Sequence, residues 1–323
     1  MKKKLIIFFL LLMAGIIVIV VAMDLLSNRP DKRPVNPFEY NIVKFKSVDS
    51  TKVHYIETKN IRLNAGNPKG IAYANKRLYI ISDSVLQVIT TGGKEIFKEI
   101  FKTKLAASPT CITVTDKNIF IGFNDYLASY ELTGKLISNW KPLDKRTILT
   151  STAVKDNLLF AADAGNRRVV RYSIDGKYLD AFDGKSNKDD LHGFIIPSPC
   201  FDLAFNGDGE LWVANPGKLA LEQYLDTGTF RSFWSKEEDG IEGFWGCCNP
   251  AQIAFLPDGS FVTSEKKNVR IKIYKPSGEF DCVVAPNEKF ANSEIAPDLA
   301  VTAAGDIYAL DFDKKEIRLF QHK

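Results

Sequence analysis

Residues 249–281 read NPAQIAFLPDGSFVTSEKKNVRIKIYKPSGEFD, and the fold is decided by how this stretch is read. Pro250 precedes a short apolar run, Ile253 to Phe255, and Pro257-Asp258-Gly259 supplies a turn. A second run, Ser260 to Ser264, ends in a polar corner, Glu265 to Asn268. An alternating run follows from Val269 to Tyr274, and Pro276-Ser277-Gly278 opens a further one. Proline presets φ and glycine tolerates positive φ, so both mark turns, while β-branched and aromatic residues suit the pleats between them. The stretch therefore predicts a four-stranded meander. Such a sheet has two apolar faces and nothing of its own to cover them, so it requires copies of itself.

The copies are present. The first unit runs from Asn67-Pro68 through Ile71 to Tyr73, Leu78 to Ile81 and Val85 to Ile89. The second runs from Ser108-Pro109 through Ile112 to Val114, Ile119 to Ile121 and Leu127 to Leu132. The third lacks an opening proline but has Leu158 to Ala161 and Arg168 to Tyr172. The fourth has Ser198-Pro199, Phe201 to Phe205, Leu211 to Ala214 and Glu222 to Leu225. The quoted stretch is the fifth, and the sixth has Ala296-Pro297, Leu299 to Val301, Ile307 to Leu310 and Ile317 to Phe320. The late turn glycines Gly93, Gly134, Gly176, Gly228 and Gly278 are 41, 42, 52 and 50 residues apart, a period that means a propeller or an array. The sixth unit offers three strands only, and the alternating segment from Ile42 to Leu63 supplies the missing fourth. Pairing the two ends closes the ring and leaves no exposed edge. The expected fold is all-β, a six-bladed β-propeller over residues 41–323 closed by an N-terminal strand.

The third unit, Ala161-Ala162-Asp163-Ala164-Gly165-Asn166-Arg167-Arg168-Val169, and the fourth, Leu211-Trp212-Val213-Ala214-Asn215, carry a resemblance. With the preceding Pro-x-x-Ile-Ala and the closing glycine turns, they resemble the NHL repeat of six-bladed propellers over roughly residues 67–323. Membrane-anchored bacterial proteins with a Gly-Cys-Cys-Asn-Pro segment look like the nearest subgroup. The resemblance implies the fold and brings no activity with it, since a propeller is a platform for many.

Lys2 to Lys4 precede an uncharged run from Leu5 to Met23. A run of that length crosses a hydrocarbon layer of about 30 Å as a helix. Val20-Val21-Ala22 is a poor cleavage site, so the run reads as an uncleaved anchor (residues 1–26) rather than a removed leader. No cysteine near its end offers a lipid attachment site. The lysines place the N-terminus in the cytoplasm and the propeller outside the cytoplasmic membrane, as a single-pass protein. Pro30, Pro34 and Pro37 make residues 27–40 an extended tether. A net charge of +4 with interspersed signs gives nucleic acid no clustered basic footprint.

Two connections are about ten residues longer than the rest: KSNKDDLHGFIIPSPC (185–200) and SKEEDGIEGFWGCCNP (235–250). Both hold an acidic cluster, then Gly-Phe, then the proline that leads into the next blade. Propeller topology puts them on one face, shared with the polar corners Asp83, Asn124, Asp163, Asn215, Glu265 and Asp311. Long loops on rigid scaffolds commonly carry sites. The candidate ligand-binding residues are His192, Phe194, Asp163, Asn215, Trp245 and Glu265, with Phe194, Phe244 and Trp245 expected as lids over the channel mouth. The alternative for the corners is turn capping through the backbone, the common role of Asp and Asn there.

Cys200, Cys247 and Cys248 flank the same loops, and Cys111 has the comparable position in the second blade. A disulfide from Cys200 to Cys247 or Cys248 suits an oxidising compartment; a metal ion or cofactor on two or three of the thiols, a redox-active vicinal pair, and plain burial are the other readings. The pair Cys247-Cys248 lacks the two-residue gap of a zinc knuckle. Cys282 is expected to pack, and His54 and His322 to be structural. The functional expectation is a protein- or ligand-binding module acting through this face. The alternatives are a thiol- or metal-dependent enzyme or electron-transfer accessory using Cys200, Cys247, Cys248 and His192, and a hydrolase holding calcium in a ring of corner carboxylates, as propeller lactonases do.

Overall fold

The computed structural model describes residues 2–27, 48–64, 66–92, 97–185, 193–238, 240–246, 248–290 and 294–323. A helix, α1 (Lys2–Ser27), forms one unit and an all-β body the other. Over Lys4–Leu25 the helix is apolar and long enough to cross a membrane, and none of this span is buried against protein. The segment read as a tether, 27–40, lies outside the described residues except for its first, as does 41–47 of the segment read as closing strand.

Strand β1 (Tyr55–Arg62) comes first and belongs to the last sheet. Blade 1 is β2 (Pro68–Ala74), β3 (Arg77–Ser82), β4 (Val85–Thr90) and β5 (Glu99–Lys104). Blade 2 is β6 (Cys111–Val114), β7 (Asn118–Gly122), β8 (Leu127–Glu131) and β9 (Leu136–Asn139). Blade 3 is β10 (Leu149–Lys155), β11 (Leu158–Asp163), β12 (Arg168–Ser173) and β13 (Tyr178–Phe182). Blade 4 is β14 (Leu203–Phe205), β15 (Leu211–Asn215), β16 (Ala220–Tyr224) and β17 (Phe230–Ser235). Blade 5 is β18 (Gln252–Phe255), β19 (Phe261–Glu265), β20 (Arg270–Tyr274) and β21 (Phe280–Ala285). Blade 6 is β22 (Asp298–Val301), β23 (Ile307–Asp311) and β24 (Glu316–His322), completed by β1 in the order β1-β24-β23-β22. The six sheets are antiparallel, and the inner strands β2, β6, β10, β14, β18 and β22 meet in turn, β22 against β2, around a central channel.

The apolar core is divided into six layers, one between each pair of adjacent blades. Alternation along each strand feeds two of them. On β3, Leu78 and Ile80 face blade 6 while Tyr79 and Ile81 face blade 2. On β11, Leu159 and Ala161 face blade 2 while Phe160 and Ala162 face blade 4. Successive side chains on a strand point to opposite faces, and here both faces are dry, which is why these strands read as unbroken apolar runs. A buried Leu or Ile contributes roughly 1.5–3 kcal/mol, so a blade without two neighbours loses most of its stabilisation.

Closure is made by β1 on β24, paired from Tyr55↔His322 to Arg62↔Glu316. Its polar centre is Arg318, 3% exposed, whose Nε and Nη2 donate to Glu57 Oε1 and Oε2 at 2.8 and 2.7 Å. Nη1 donates to the carbonyl of Lys289 at 2.7 Å, and the guanidinium lies over the rings of Phe290 and Phe320. The fork geometry matches a carboxylate, and the paired hydrogen bonds from Arg318 hold Glu57 below its ordinary range. Arg318→Ala leaves Glu57 beside an apolar seam with only the exposed Lys289, 3.6 Å away, as counter-charge, and strips Asp311 of its partner. Unfolding in urea is expected to show a loss of about 3 kcal/mol, with amide exchange rising first across β1.

Candidate functional site

The polar corners are built into the blades. Asp163 is fully buried: its Oδ1 accepts from the backbone N–H of Ile148 and Asn166, and its Oδ2 from Arg168 Nε at 2.9 Å. Asn215 Oδ1 accepts from Ile195 N at 2.9 Å, and its amide donates to Glu222 Oε1 at 2.8 Å. Glu265 Oε2 accepts from Trp245 N at 3.1 Å and from Arg270 Nη2 at 2.7 Å. Asp83 accepts from Asn67 N, and Asp311 pairs with Arg318. One rule covers Asp83, Asp163, Asn215 and Glu265: the residue ending the second strand caps the connection that leads into its own blade. None of the six corner residues lines the channel, so the alternative of a calcium-holding ring of corner carboxylates is not realised, and the turn-capping reading is what the hydrogen bonds show. A short polar side chain at a corner satisfies the loop's backbone donors before it can reach the channel.

The two long connections use this device most heavily. Glu265, Arg270 and Lys272 are all 0% exposed. Lys272 Nζ lies 2.7 Å from Glu265 Oε1, donates to the carbonyls of Ile241 and Gly243 at 3.0 and 2.6 Å, and sits over Phe244 and Tyr274. Burial, which outweighs the attraction of Glu265, pulls Lys272 below its ordinary range, with Arg270 adding to the effect. Tyr274 Oη donates to Glu242 O at 2.9 Å. In blade 4 the counterparts are Glu222, which accepts from Tyr224 Oη at 2.6 Å and from Lys218 at 3.3 Å. The shared Gly-Phe has a steric origin. A Cβ on Gly193 would stand 1.8 Å from the Asp183 carbonyl oxygen, and one on Gly243 1.7 Å from that of Glu238. Phe194 and Phe244 are not lids: they are 4% and 2% exposed and fill the layers beside Tyr224 and Tyr274. Trp245 is half-buried and does not line the channel.

Cys200 lines the channel mouth and carries a free thiol, so its expected staple to Cys247 or Cys248 is not formed; Cys248 is half-buried and off the cavity wall. His192 and Cys247 lie outside the described residues. Cys111 faces the channel wall against Gly122, where a Cβ would meet its Sγ, and burial pushes its thiol up to about 12.

The channel is a cavity of about 740 Å³, walled by the six inner strands. Lys69, Lys266 and Glu294 stand at the end that carries the corners, with Lys266 Nζ donating to Ser198 Oγ at 2.5 Å. Tyr73, Phe205 and Phe255 line the opposite end. Between them are two carboxylates that the sequence reading passed over, Asp202 and Asp298. Asp202 Oδ2 accepts from Ile253 N of the next blade at 2.7 Å, and Asp298 Oδ2 from Ile71 N of the next blade at 2.8 Å. Ser151 bonds Leu203 N in the same way at 3.4 Å. Burial pushes Asp202 up to about 6. Asp298 goes up to about 7, through burial and then the charge of Asp202. The signal was available: Asp-Leu-Ala opens both inner strands, and a carboxylate beside an apolar triplet demands a partner or a role.

No known family's sequence profile matches the chain, and no curated protein matches it in sequence. Solved structures do match in shape. A streptogramin B lyase superimposes with a TM-score of 0.58 at 12% identity, covering 84% of this chain and 98% of that one. Virginiamycin B lyase from Staphylococcus aureus gives 0.57 at 14%, covering 83% and 100%. The WD40 propeller of Doa1 gives 0.53 at 12%, covering 83% and 97%. These are likenesses of fold alone. They establish the six-bladed propeller, and the NHL repeat is matched by no family profile.

Two outcomes follow from this geometry. Glu265→Ala leaves Arg270 and Lys272 buried without their carboxylate; a loss of about 3–5 kcal/mol is expected, with exchange protection lost over 240–250 while the other blades keep theirs. The second concerns pH. Asp202 and Asp298 are raised in the folded chain, so their contribution to stability is fully present below about pH 4 and is lost as pH rises through 6 and 7. Between pH 4 and 8 the wild type should therefore lose about 2 kcal/mol more than Asp298→Asn, a figure held down because Asp298 is partly exposed to the channel.

Proposed function

We propose that this chain is a binding module, held at the cytoplasmic membrane by α1 with its propeller outside, which takes its ligand into the channel from the face bearing the long connections. The observation that supports this is the channel itself, about 740 Å³ with two under-neutralised carboxylates part-way down a wall of mixed polar and apolar side chains. Ligand sites are concavities of roughly this size, apolar with a few placed polar groups. Asp202 and Asp298 each accept from a neighbouring backbone N–H yet have no cation beside them among the described residues. A group that suits them is an ammonium or guanidinium, with an apolar remainder lying on Tyr73, Phe205 and Phe255. The ligand is thus a small amine or the basic side chain of a partner protein. The corners Asp163, Asn215 and Glu265 support the face rather than contact the ligand, and Trp245 would act from its rim.

Cys200 at the mouth favours a second reading, in which Cys200, Cys247, Cys248 and His192 carry thiol or metal chemistry on the same face.

The test is binding of short lysine- and arginine-containing peptides to the detergent-solubilised full chain, with acetyl-lysine and citrulline peptides as uncharged controls. The basic peptides should bind at least about tenfold tighter than the controls, and Asp202→Asn with Asp298→Asn should abolish the difference. Equal binding of charged and uncharged peptides, or binding unaffected by the double variant, would overturn the carboxylate reading. Binding lost on alkylation of Cys200 and retained in the double variant would favour the thiol reading.

A further inference from the structure

The outer strands of blades 1 to 4 each contain one extra residue, and that of blade 5 contains two. Register slips place them at Ile100, Ile137, Leu179 and Arg231, and in blade 5 at Asp281 and Val284. A bulge of this kind breaks the strict alternation of side chains and re-aims them locally. In four of the five blades the extra residue is Ile, Ile, Leu or Arg, without metal-ligating chemistry. In blade 5 one of the two is Asp281, followed at once by Cys282, and the bulge there brings both toward one point. The chain leading into β1 passes that point: His54 N donates to Val283 O at 3.1 Å, and Val53 bridges Val283. The result is a cluster in which a His54 ring nitrogen, an Asp281 carboxylate oxygen and Cys282 Sγ all lie within 4.8 Å of one another. Among the described residues it is the one trio of such side chains this close.

We propose that His54, Asp281 and Cys282 form a binding site for a borderline-soft divalent cation of the Zn²⁺ class, which rivets the start of the closing strand to blade 5. The donor set is chemically apt. Imidazole and thiolate select this class of metal over calcium or magnesium, and one carboxylate completes a common mixed shell. Ligands sharing a tetrahedral Zn²⁺ sit about 3.5 Å apart, given bonds of about 2.0–2.3 Å. The trio must therefore draw in by about 1 Å. Asp281 is exposed and His54 half-buried, so their side chains have room to swing. Cys282 is 1% exposed and fixed in the layer between blades 5 and 6. The ring of His322 lies 6.3 Å from that of His54 and 5.2 Å from that of Tyr55. It stands beside the site as a fourth donor, or leaves that position to water. With no metal, the Cys282 thiol donates to the Asp281 carboxylate, and burial together with that carboxylate holds the thiol well above its ordinary range. Binding forms the metal–sulfur bond as the thiol proton passes to solvent, and it turns the carboxylate from the thiol to the cation.

The test uses the full chain in detergent, stripped of metal, with Zn²⁺ and then Co²⁺ as probes. One Zn²⁺ per chain should bind and raise the melting temperature, and Co²⁺ should give the thiolate charge-transfer absorption of a sulfur-ligated ion. Cys282→Ser, His54→Ala and Asp281→Asn should each weaken Zn²⁺ at least about tenfold, and Cys282→Ser should remove the absorption. Cys200→Ser with Cys248→Ser should change neither. His54 and Asp281 are on the surface, so their variants report on the site even if Cys282→Ser folds poorly. No thiolate absorption in the wild type, unchanged Zn²⁺ affinity in His54→Ala and Asp281→Asn, or loss of the metal with Cys200 and Cys248 instead would overturn the proposal.

Discussion

A blade is a sheet that cannot exist alone, and the antiparallel pairing of β1 with β24 removes that difficulty for all six at once. Each of the six apolar layers is shared by two blades, so opening the ring at one place exposes one layer fully and loosens the rest. Hydrogen bonds between strands make the join, and the fork of Arg318 on Glu57 fixes its register. Arg318 donates in several directions from a nearly dry position. This is why a charge is tolerated where the neighbouring blades present aliphatic side chains to one another.

Charge is used in two distinct ways in the body. At the corners it is internal: Asp163 with Arg168, Glu265 with Arg270 and Lys272, and Asp311 with Arg318 hold connections onto blades. In the channel it is only partly spent. Asp202 and Asp298 each stitch one blade to the next through one oxygen, accept from the following residue's N–H with the other, and line the cavity with no ion-pair partner among the described residues. A buried ion pair offsets its own desolvation, whereas a carboxylate facing a cavity without a counter-ion retains a demand that a ligand can meet.

The architecture was legible because its signals are local and repeated: proline before the first strand, glycine after the third, and apolar runs of strand length between them. The polar corners were legible as positions but not as roles. An Asp that caps a loop and an Asp that ligates calcium look alike in sequence, and the difference lies in which way the side chain turns. Phe194 and Phe244 were misplaced for a related reason: the glycines before them let the loops press down on the blade ends, and the rings follow inward. Asp202 and Asp298 are hidden in the sequence because they sit where inner strands begin, on the channel wall, and not in the long loops where sites commonly lie. The trio at the seam was out of reach altogether. His54 is more than 200 residues from Asp281 and Cys282, and their meeting depends on a bulge that no turn residue announces.

The join that closes the ring also sets a schedule. Glu57 and Arg318 are 261 positions apart, so on the ribosome the first strand is finished long before the one it must lie against exists. Until then blade 6 is incomplete, and the nascent disc has a raw edge at each end. Contacts so distant along the chain are slow to form, and unpaired edges are what chaperones cover. A protein built this way commits to its shape late, in a single act that waits for residues 316–322 to be made.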